Sequence, residues 1–273
     1  MSGLHVGAAQ ITARFGDFDG NLALIDEWAG RAAACGVEAL LFSECVLHGA
    51  SIAPEALAQA LSLDSPTCRQ IGDMARRHGL TLLVGFNEQD GDKVYNSQLI
   101  AHPDGALQAQ RKHALNAQEL ANGLTPGQVE RLPIRIRGHV CHIAICADWG
   151  AAAVQADLDR QGCELLFLPT AGGGRRENML RAETLDTEAG IAAYVARMKR
   201  VAFPFDSIGY CLRKRRAVVT CNGVGDNGFD MCQEGHCTIM DRMGELRGLI
   251  PGAPVFEYQR SELVHSILAG EDQ

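Results

Sequence analysis

The sequence has few aromatic residues, with Phe, Trp and Tyr together at 5%, so a core must rest on Leu, Ile, Val and Ala. It has no apolar run near the roughly 18 residues that a membrane-crossing helix needs, and no membrane partner is expected. It also lacks a basic excess: 25 Lys and Arg stand against 33 Asp and Glu, a formal net charge of −8. Nucleic acid and anionic lipid both call for a net basic face, so neither is expected as the main partner. The basic run Arg213-Lys214-Arg215-Arg216 reads as solvated or salt-bridged surface. Met1-Ser2-Gly3 has no basic start, and the first apolar stretch, Val6–Ile11, is interrupted by Gln10. No secretory leader is read there, and a cytoplasmic location is expected. Linkers rich in Pro, Gly or Ser are missing too, which favours one domain over 1–273.

Cysteine, by contrast, is plentiful. Ten cysteines at irregular spacing, with no leader, point to reduced thiols rather than a disulfide framework. Cys232, His236 and Cys237 come near a metal-ligand spacing, but no second ligand pair at short spacing accompanies them. No metal is expected.

Strand-like and helix-like segments alternate along the chain. Leu4–Ala9, Ala39–Phe42, Leu80–Gly85 and Leu165–Leu168 read as buried strands. Asn21–Cys35 carries apolar residues at helical spacing and ends at Gly36; Thr67–His78 reads as a helix stopped by Gly79. Val94–Ala101 and Leu107–Lys112 flank Pro103-Asp104-Gly105, a strong turn signal. Val140–Ile145, Ala217–Cys221 and Cys237–Met240 complete the strands. The pattern predicts an α/β layered fold with mixed sheets. The stretch 171–210 reads as one or two helices with a loop, an insertion or lid-like elaboration, and 259–273 as a C-terminal tail.

Three residues of complementary chemistry lie at or just past the ends of apolar runs: Glu44, Lys112 and Cys146. In open α/β sheets, sites form outside the carboxyl ends of strands. A thiol of ordinary pKa is mostly protonated at neutral pH, so a nucleophilic cysteine needs a base or a nearby cation. A carboxylate supplies the first and a lysine the second. Taken singly each residue has a bland role, Cys146 as a small core side chain and the other two as solvated charges.

The surrounding sequence resembles the nitrilase superfamily of carbon–nitrogen hydrolases, on its amidase and carbamoylase side. Gln10, Gly16-Asp17 and Asn21 match its opening, and LLFSECVLHG (40–49) resembles the segment that holds the catalytic glutamate, here Glu44. The stretch 84–115 leads to a match for the catalytic lysine at Lys112, and HIAICADW (142–149) resembles the nucleophile turn at Cys146. GCELLFLPTA (162–171), AVVTCNGVG (217–225) and EGHCTIMDRMGE (234–245) resemble later blocks. The resemblance implies a four-layer α-β-β-α sandwich and acyl transfer through a thioester, with no cofactor. Glu44 would be the base and Lys112 with the Ala147 backbone N–H the oxyanion donors. Glu119 would hold Lys112, a small amide or N-carbamoyl compound would be the substrate, and the chain would form a homodimer or larger homo-oligomer. The sequence departs from the family pattern at Ser43, at Ala147 and Trp149-Gly150 around the matching Asp148, and at Arg213, which by spacing from Asn222 takes the place of a usual glutamate.

Other readings stand beside this one. A non-catalytic interaction protein on the same scaffold would leave Cys146 unreactive, and nitrile hydrolysis is a further reading within the enzyme class. Gly223-Val224-Gly225-Asp226-Asn227-Gly228 fits the dinucleotide-binding glycine pattern, but the pattern carries that meaning only where a helix follows. The Asp- and Gly-punctuated sequence after it predicts a loop. Arg175, Arg176 or the 213–216 run offer cations for a substrate carboxylate, and read equally well as surface charge.

Overall fold

A computed structural model describes residues 3–201 and 205–268. In chain order the first half contains β1 (Leu4–Gln10), α1 (Phe18–Ala34), β2 (Ala39–Leu41), α2 (Pro54–Leu57), α3 (Pro66–His78), β3 (Thr81–Asp90), β4 (Lys93–Ala101), β5 (Leu107–Arg111) and α4 (Ala117–Ala121). The second half contains β6 (Ile134–Ile136), β7 (His139–Ile143), α5 (Ala152–Arg160), β8 (Leu165–Thr170), β9 (Gly173–Gly174), α6 (Glu188–Val201) and α7 (Phe205–Lys214). It closes with β10 (Ala217–Asn222), β11 (Val224–Asp226), β12 (Cys232–Met240), β13 (Leu246–Gly252) and β14 (Glu262–Leu268).

The strands form two mixed sheets. One runs β14-β1-β2-β3-β4-β5; the other runs β11-β12-β10-β8-β7-β6, with β13 and β9 also on β12. Successive side chains of a strand point to opposite faces, and here both faces are covered. Val6, Ala8, Leu41 and Leu83 of the first sheet meet Ile143, Phe167, Val219 and Ile239 of the second in one buried layer. Their neighbours Ala9, Leu40, Leu82 and Val84 turn outward against α1 and α3. On the far side, Leu166, Leu168 and Val218 pack with Val154 and Leu158 of α5 and Tyr210 and Cys211 of α7. The result is the four-layer α-β-β-α sandwich. Two-sided burial is why these strands are almost wholly apolar rather than alternating.

Local chemistry sets the outer helices. The Asp17 side chain accepts from Gly20 N–H at 3.0 Å as the N-cap of α1. Ser65 caps α3 through Cys68 N–H, Pro66 occupies its first turn, and Gly79 ends it at φ 69°. The opening residues Gln10 and Asn21 also have structural partners. Asn21 is fully buried, accepts from Arg14 N–H and donates to Arg14 O and Leu47 O.

Several expectations need correction. The segment 259–273 is not simply a tail: Glu262–Leu268 pairs antiparallel with β1, from Leu4↔Leu268 to Gln10↔Glu262. It is an edge strand, bonded on one side and half-exposed, so its sequence has no strong apolar run; 269–273 lie outside the described residues. Arg216 is not surface charge either. It is 2% exposed and donates to Cys163 O, Tyr210 Oη and Asp159. The stretch 171–210 holds β9, two short 3₁₀ turns, α6 and the start of α7, with 202–204 outside the described residues. The glycine pattern at 223–228 falls on β11 and the loop that returns to β12, antiparallel, where no helix starts. No described helix is long and apolar enough to cross a membrane.

Candidate active site

Glu44 follows β2, Lys112 follows β5 and Cys146 follows β7, so the trio draws on the carboxyl ends of strands in both sheets. The two sheets are tied there by Glu44 N–H donating to Thr170 O at 3.2 Å. Glu44 and Lys112 are 4% and 2% exposed. The Lys112 ammonium donates to Glu44 Oε1 at 2.7 Å and to Glu119 Oε1 at 2.5 Å. Asn96 of β4, between the two strands, donates its Nδ2 to the same Glu44 Oε1 at 2.7 Å, and its carbonyl accepts from Lys112 N–H at 2.8 Å. Glu44 Oε1 is thus doubly engaged, which leaves Oε2 as the oxygen that can take a proton.

Glu119 has two tasks. One oxygen meets Lys112; the other accepts from Asn116 N–H at 2.8 Å, while Asn116 Oδ1 accepts from Glu119 N–H at 2.9 Å. This capping box opens the short helix α4. The same residue that starts the helix therefore orients the lysine.

Cys146 sits in the left-handed region at φ 48°, as does Cys45 beside Glu44 at φ 52°. Such backbone costs ~1–3 kcal/mol in a non-glycine residue and persists where the surroundings impose it. Here the sharp turn leaves Cys146 half-buried and Ala147 exposed at the start of a 3₁₀ turn. The first N–H groups of a helix have no partner within it, so the Ala147 N–H stands beside the thiol as a free donor type. Burial first, and then the charge and hydrogen bond of Glu44, push the Cys146 thiol up to about 12, with Lys112 only partly offsetting them. The resting sulfur is a thiol. Burial also opposes the Lys112 ammonium, but Glu44, Cys146 and Glu119 outweigh it and hold its pKa above the usual lysine value.

Sequence reasoning missed the frame around the trio. Asp148 is fully buried. Its Oδ1 accepts from His113 N–H and Ala114 N–H at 3.0 and 2.7 Å, and its Oδ2 from Ile145 N–H and Arg131 Nη1, both at 3.1 Å. One carboxylate thereby joins the residue before Cys146 to the residues after Lys112. Asp148 was visible as part of the nucleophile motif, whereas nothing local marked Arg131, a fully buried arginine between two loops. Trp149, a departure from the family pattern after Cys146, packs on Tyr210 of α7 at 4.2 Å between ring centroids. Arg213 lies exposed at the end of α7.

Gly85 of β3 is required where the Glu44 turn crosses it. A Cβ there would lie 2.3 Å from Cys45 N and 2.4 Å from Ser43 O. Gly85→Ala is expected to shift Glu44 and lower turnover by about 10²-fold, since a 1 Å misplacement of a reacting group costs that much. Steady-state rates on the best substrate measure it; an unchanged rate would show that the turn tolerates displacement.

His48, in the same loop, is almost fully buried. Its Nδ1 accepts from Asn87 N–H at 3.2 Å, which leaves Nε2–H to donate to Gln59 O at 3.1 Å. Burial lowers its pKa from 6.5 to about 4, only partly opposed by the bond to Gln59. Between those values the unfolded chain binds a proton that folded His48 refuses. Its contribution is therefore complete above pH 6.5 and lost as pH falls toward 4, by up to about 3 kcal/mol. Urea midpoints at pH 7 and 4.5 should fall more steeply for the native chain than for His48→Gln.

A cleft of about 830 Å³ opens at this edge of the sandwich, lined by Ile52, Pro54, Arg175 and Asp230, by Gln118 of α4, next to Glu119, and by Asn122, which caps the end of that helix. Arg176 reaches Asp226 at 3.3 Å and stacks on Phe256, while Arg175 is strongly exposed with Glu177 at 3.7 Å. All ten cysteines are free. Among the described residues no cluster of three or more His, Cys, Asp or Glu could hold a metal ion. Cys232 Sγ faces Gln259, whereas Cys237 Sγ faces Cys221.

The chain belongs to the carbon-nitrogen hydrolase family, whose model matches residues 5–245. Among curated relatives, a hydrolase of Mycobacterium tuberculosis is 25% identical over 203 residues, 70% of this chain and 71% of that protein. Nitrilase 3 of an unknown prokaryotic organism is 36% identical over 76 residues, and an aliphatic nitrilase of Rhodococcus rhodochrous 40% over 53. Those two matches span only 28% and 19% of this chain, and 20% and 14% of the relatives. Among solved structures, a CN-hydrolase superfamily protein of Xanthomonas campestris superposes at TM-score 0.76 with 20% identity, over 99% of this chain and 92% of that one. A mutant of an amidase from Nesterenkonia AN1 superposes at 0.76 with 18% identity, over 98% and 92%. At such identities the structures speak for the fold.

Proposed function

We propose that the protein hydrolyses a small amide or N-carbamoyl compound through a thioester on Cys146. The observation that carries the reading is the buried Lys112 ammonium held between Glu44 and Glu119 next to a half-buried, positive-φ cysteine. Because the resting sulfur is a thiol, attack requires a base at the moment of bond formation. Glu44 Oε2 takes the proton as Cys146 Sγ bonds to the substrate carbonyl carbon. The charge that develops on the carbonyl oxygen is met by the Lys112 ammonium and the Ala147 N–H. Collapse expels ammonia or an amine, which receives the proton from Glu44, and leaves the thioester. Water then gives its proton to Glu44 and attacks the same carbon; the acid leaves and the proton returns to sulfur.

Relatives support an amide substrate. The Nesterenkonia amidase has been captured with butyramide, and with the acetamide moiety of fluoroacetamide added at its active-site cysteine. A second copy of the chain is the expected protein partner: α6 exposes Ile191 and Val195, four residues apart on one face. Ammonia release from a panel of aliphatic amides, N-carbamoyl amino acids and nitriles tests the reading, with Cys146→Ala as blank. Turnover of amides or carbamoyl compounds is expected. Turnover of nitriles alone would move the protein to the nitrilase reading, and none at all to the interaction-protein reading.

A further inference from the structure

The edge of the sandwich opposite Cys146 carries a separate cavity of about 510 Å³, at the starts of β1, β8 and β10 and the ends of β12 and β14. Leu4, Leu165 and Leu268 contribute apolar walls. Lys214, Arg215, Arg216 and Arg247 bring cations to it. Among the described residues its lining includes three carboxylates, and each is already engaged. Asp159 serves both Lys214, at 2.5 Å, and Arg216, at 3.1 Å. Glu164 meets His139 at 3.0 Å, and Asp241 meets Arg247 at 2.7 Å.

Arg215 is the group left over. Its Nη1 donates to the Met243 thioether sulfur at 3.3 Å, a weak acceptor, and among the described residues no carboxylate lies within ion-pair reach. Beside it Arg216 is a buried cation that shares its one carboxylate with Lys214. A buried or recessed cation in excess of its counter-charges attracts an anion, and a guanidinium matches phosphate or carboxylate with two parallel donors. The volume lies in the range of small-molecule sites, which combine apolar walls with a few placed polar groups.

We propose that this cavity binds a small organic anion, its phosphate or carboxylate held by Arg215 and its apolar body against the leucine walls. The site is remote from the hydrolytic chemistry and its occupancy does not depend on it. The probe is 1-naphthyl phosphate, titrated calorimetrically into the full chain, with neutral 1-naphthol and inorganic phosphate as partial mimics. One saturable site is expected for naphthyl phosphate, with each mimic at least about tenfold weaker. Arg215 is exposed, so Arg215→Gln should fold normally and bind the probe at least about tenfold more weakly. Protein alkylated at Cys146 should bind it unchanged. The proposal is overturned if no saturable binding occurs, if naphthol binds as tightly as its phosphate, or if Arg215→Gln binds as the native chain does. It also fails if alkylation of Cys146 abolishes binding, since the probe would then occupy the hydrolytic site.

Discussion

Cys146→Ala is expected to lower hydrolysis of the best substrate by on the order of 10⁴–10⁶-fold, as nucleophile removal does in other acyl-transfer enzymes. Glu44→Gln should approach the same loss for a different reason. With its pKa pushed up to about 12, the Cys146 thiol supplies almost no thiolate at neutral pH. The barrier then depends on a base that removes the proton during attack, and glutamine cannot. The variant keeps the shape of Glu44, and Glu119 still holds Lys112, so the fold should survive. Residues that act as one unit lose activity together; the double variant should be little worse than either single one. Single-turnover ammonia release measures all three. If Cys146→Ala retained a rate within about tenfold of native, the nucleophile would lie elsewhere. Alkylation gives an independent reading. Of the ten cysteines, Cys35 is exposed, Cys146 is half-buried and the other eight are buried. Under native conditions iodoacetamide should modify exposed Cys35, and also Cys146 where Glu44 takes the thiol proton during attack, and substrate should protect only the second.

The second large effect falls on Asp148→Asn. The carboxylate accepts three backbone N–H groups and the Arg131 guanidinium, with no exposure to water. A carboxamide keeps one oxygen but turns an NH₂ toward donors. It also leaves Arg131, whose remaining bonds go to the carbonyls of Gln128, Val129 and Arg111, without its carboxylate at Asp148. Breaking a buried pair from one side costs ~3–5 kcal/mol. The same change frees Ile145 from His113 and Ala114, so the Cys146 turn and the Lys112 segment lose their shared anchor. Turnover should fall by more than the loss of folded protein explains. In an Arg131→Met background, Asp148→Asn should cost less, with a coupling of ~0.5–3 kcal/mol. Urea denaturation and kcat of the four proteins decide this. A single-variant loss under about 0.5 kcal/mol, the scale of an ordinary surface change, would remove Asp148 from the frame.

The sequence by itself carried the parts of this protein that local physics encodes. Apolar runs buried on both faces marked β1, β2, β3 and β8, and a helix-like stretch closed by Gly79 marked α3. The three reactive residues stood at or just beyond strand ends within recognisable blocks. Tertiary structure decided who their neighbours are. Glu44 and Lys112 are 68 residues apart, and Asn96 reaches them only because β4 lies between β3 and β5 in the sheet. Gly85 mattered only once a loop from another strand crossed it. Arg216 read as surface charge until packing buried it, nothing local marked Arg131, and β14 had no strong pattern because an edge strand needs apolar residues on less of its surface. Period and capping are properties of a few consecutive residues, so the chain records them locally. Sheet order and the meeting of two sheets are set by long-range burial, and they appear only when the whole sandwich has closed.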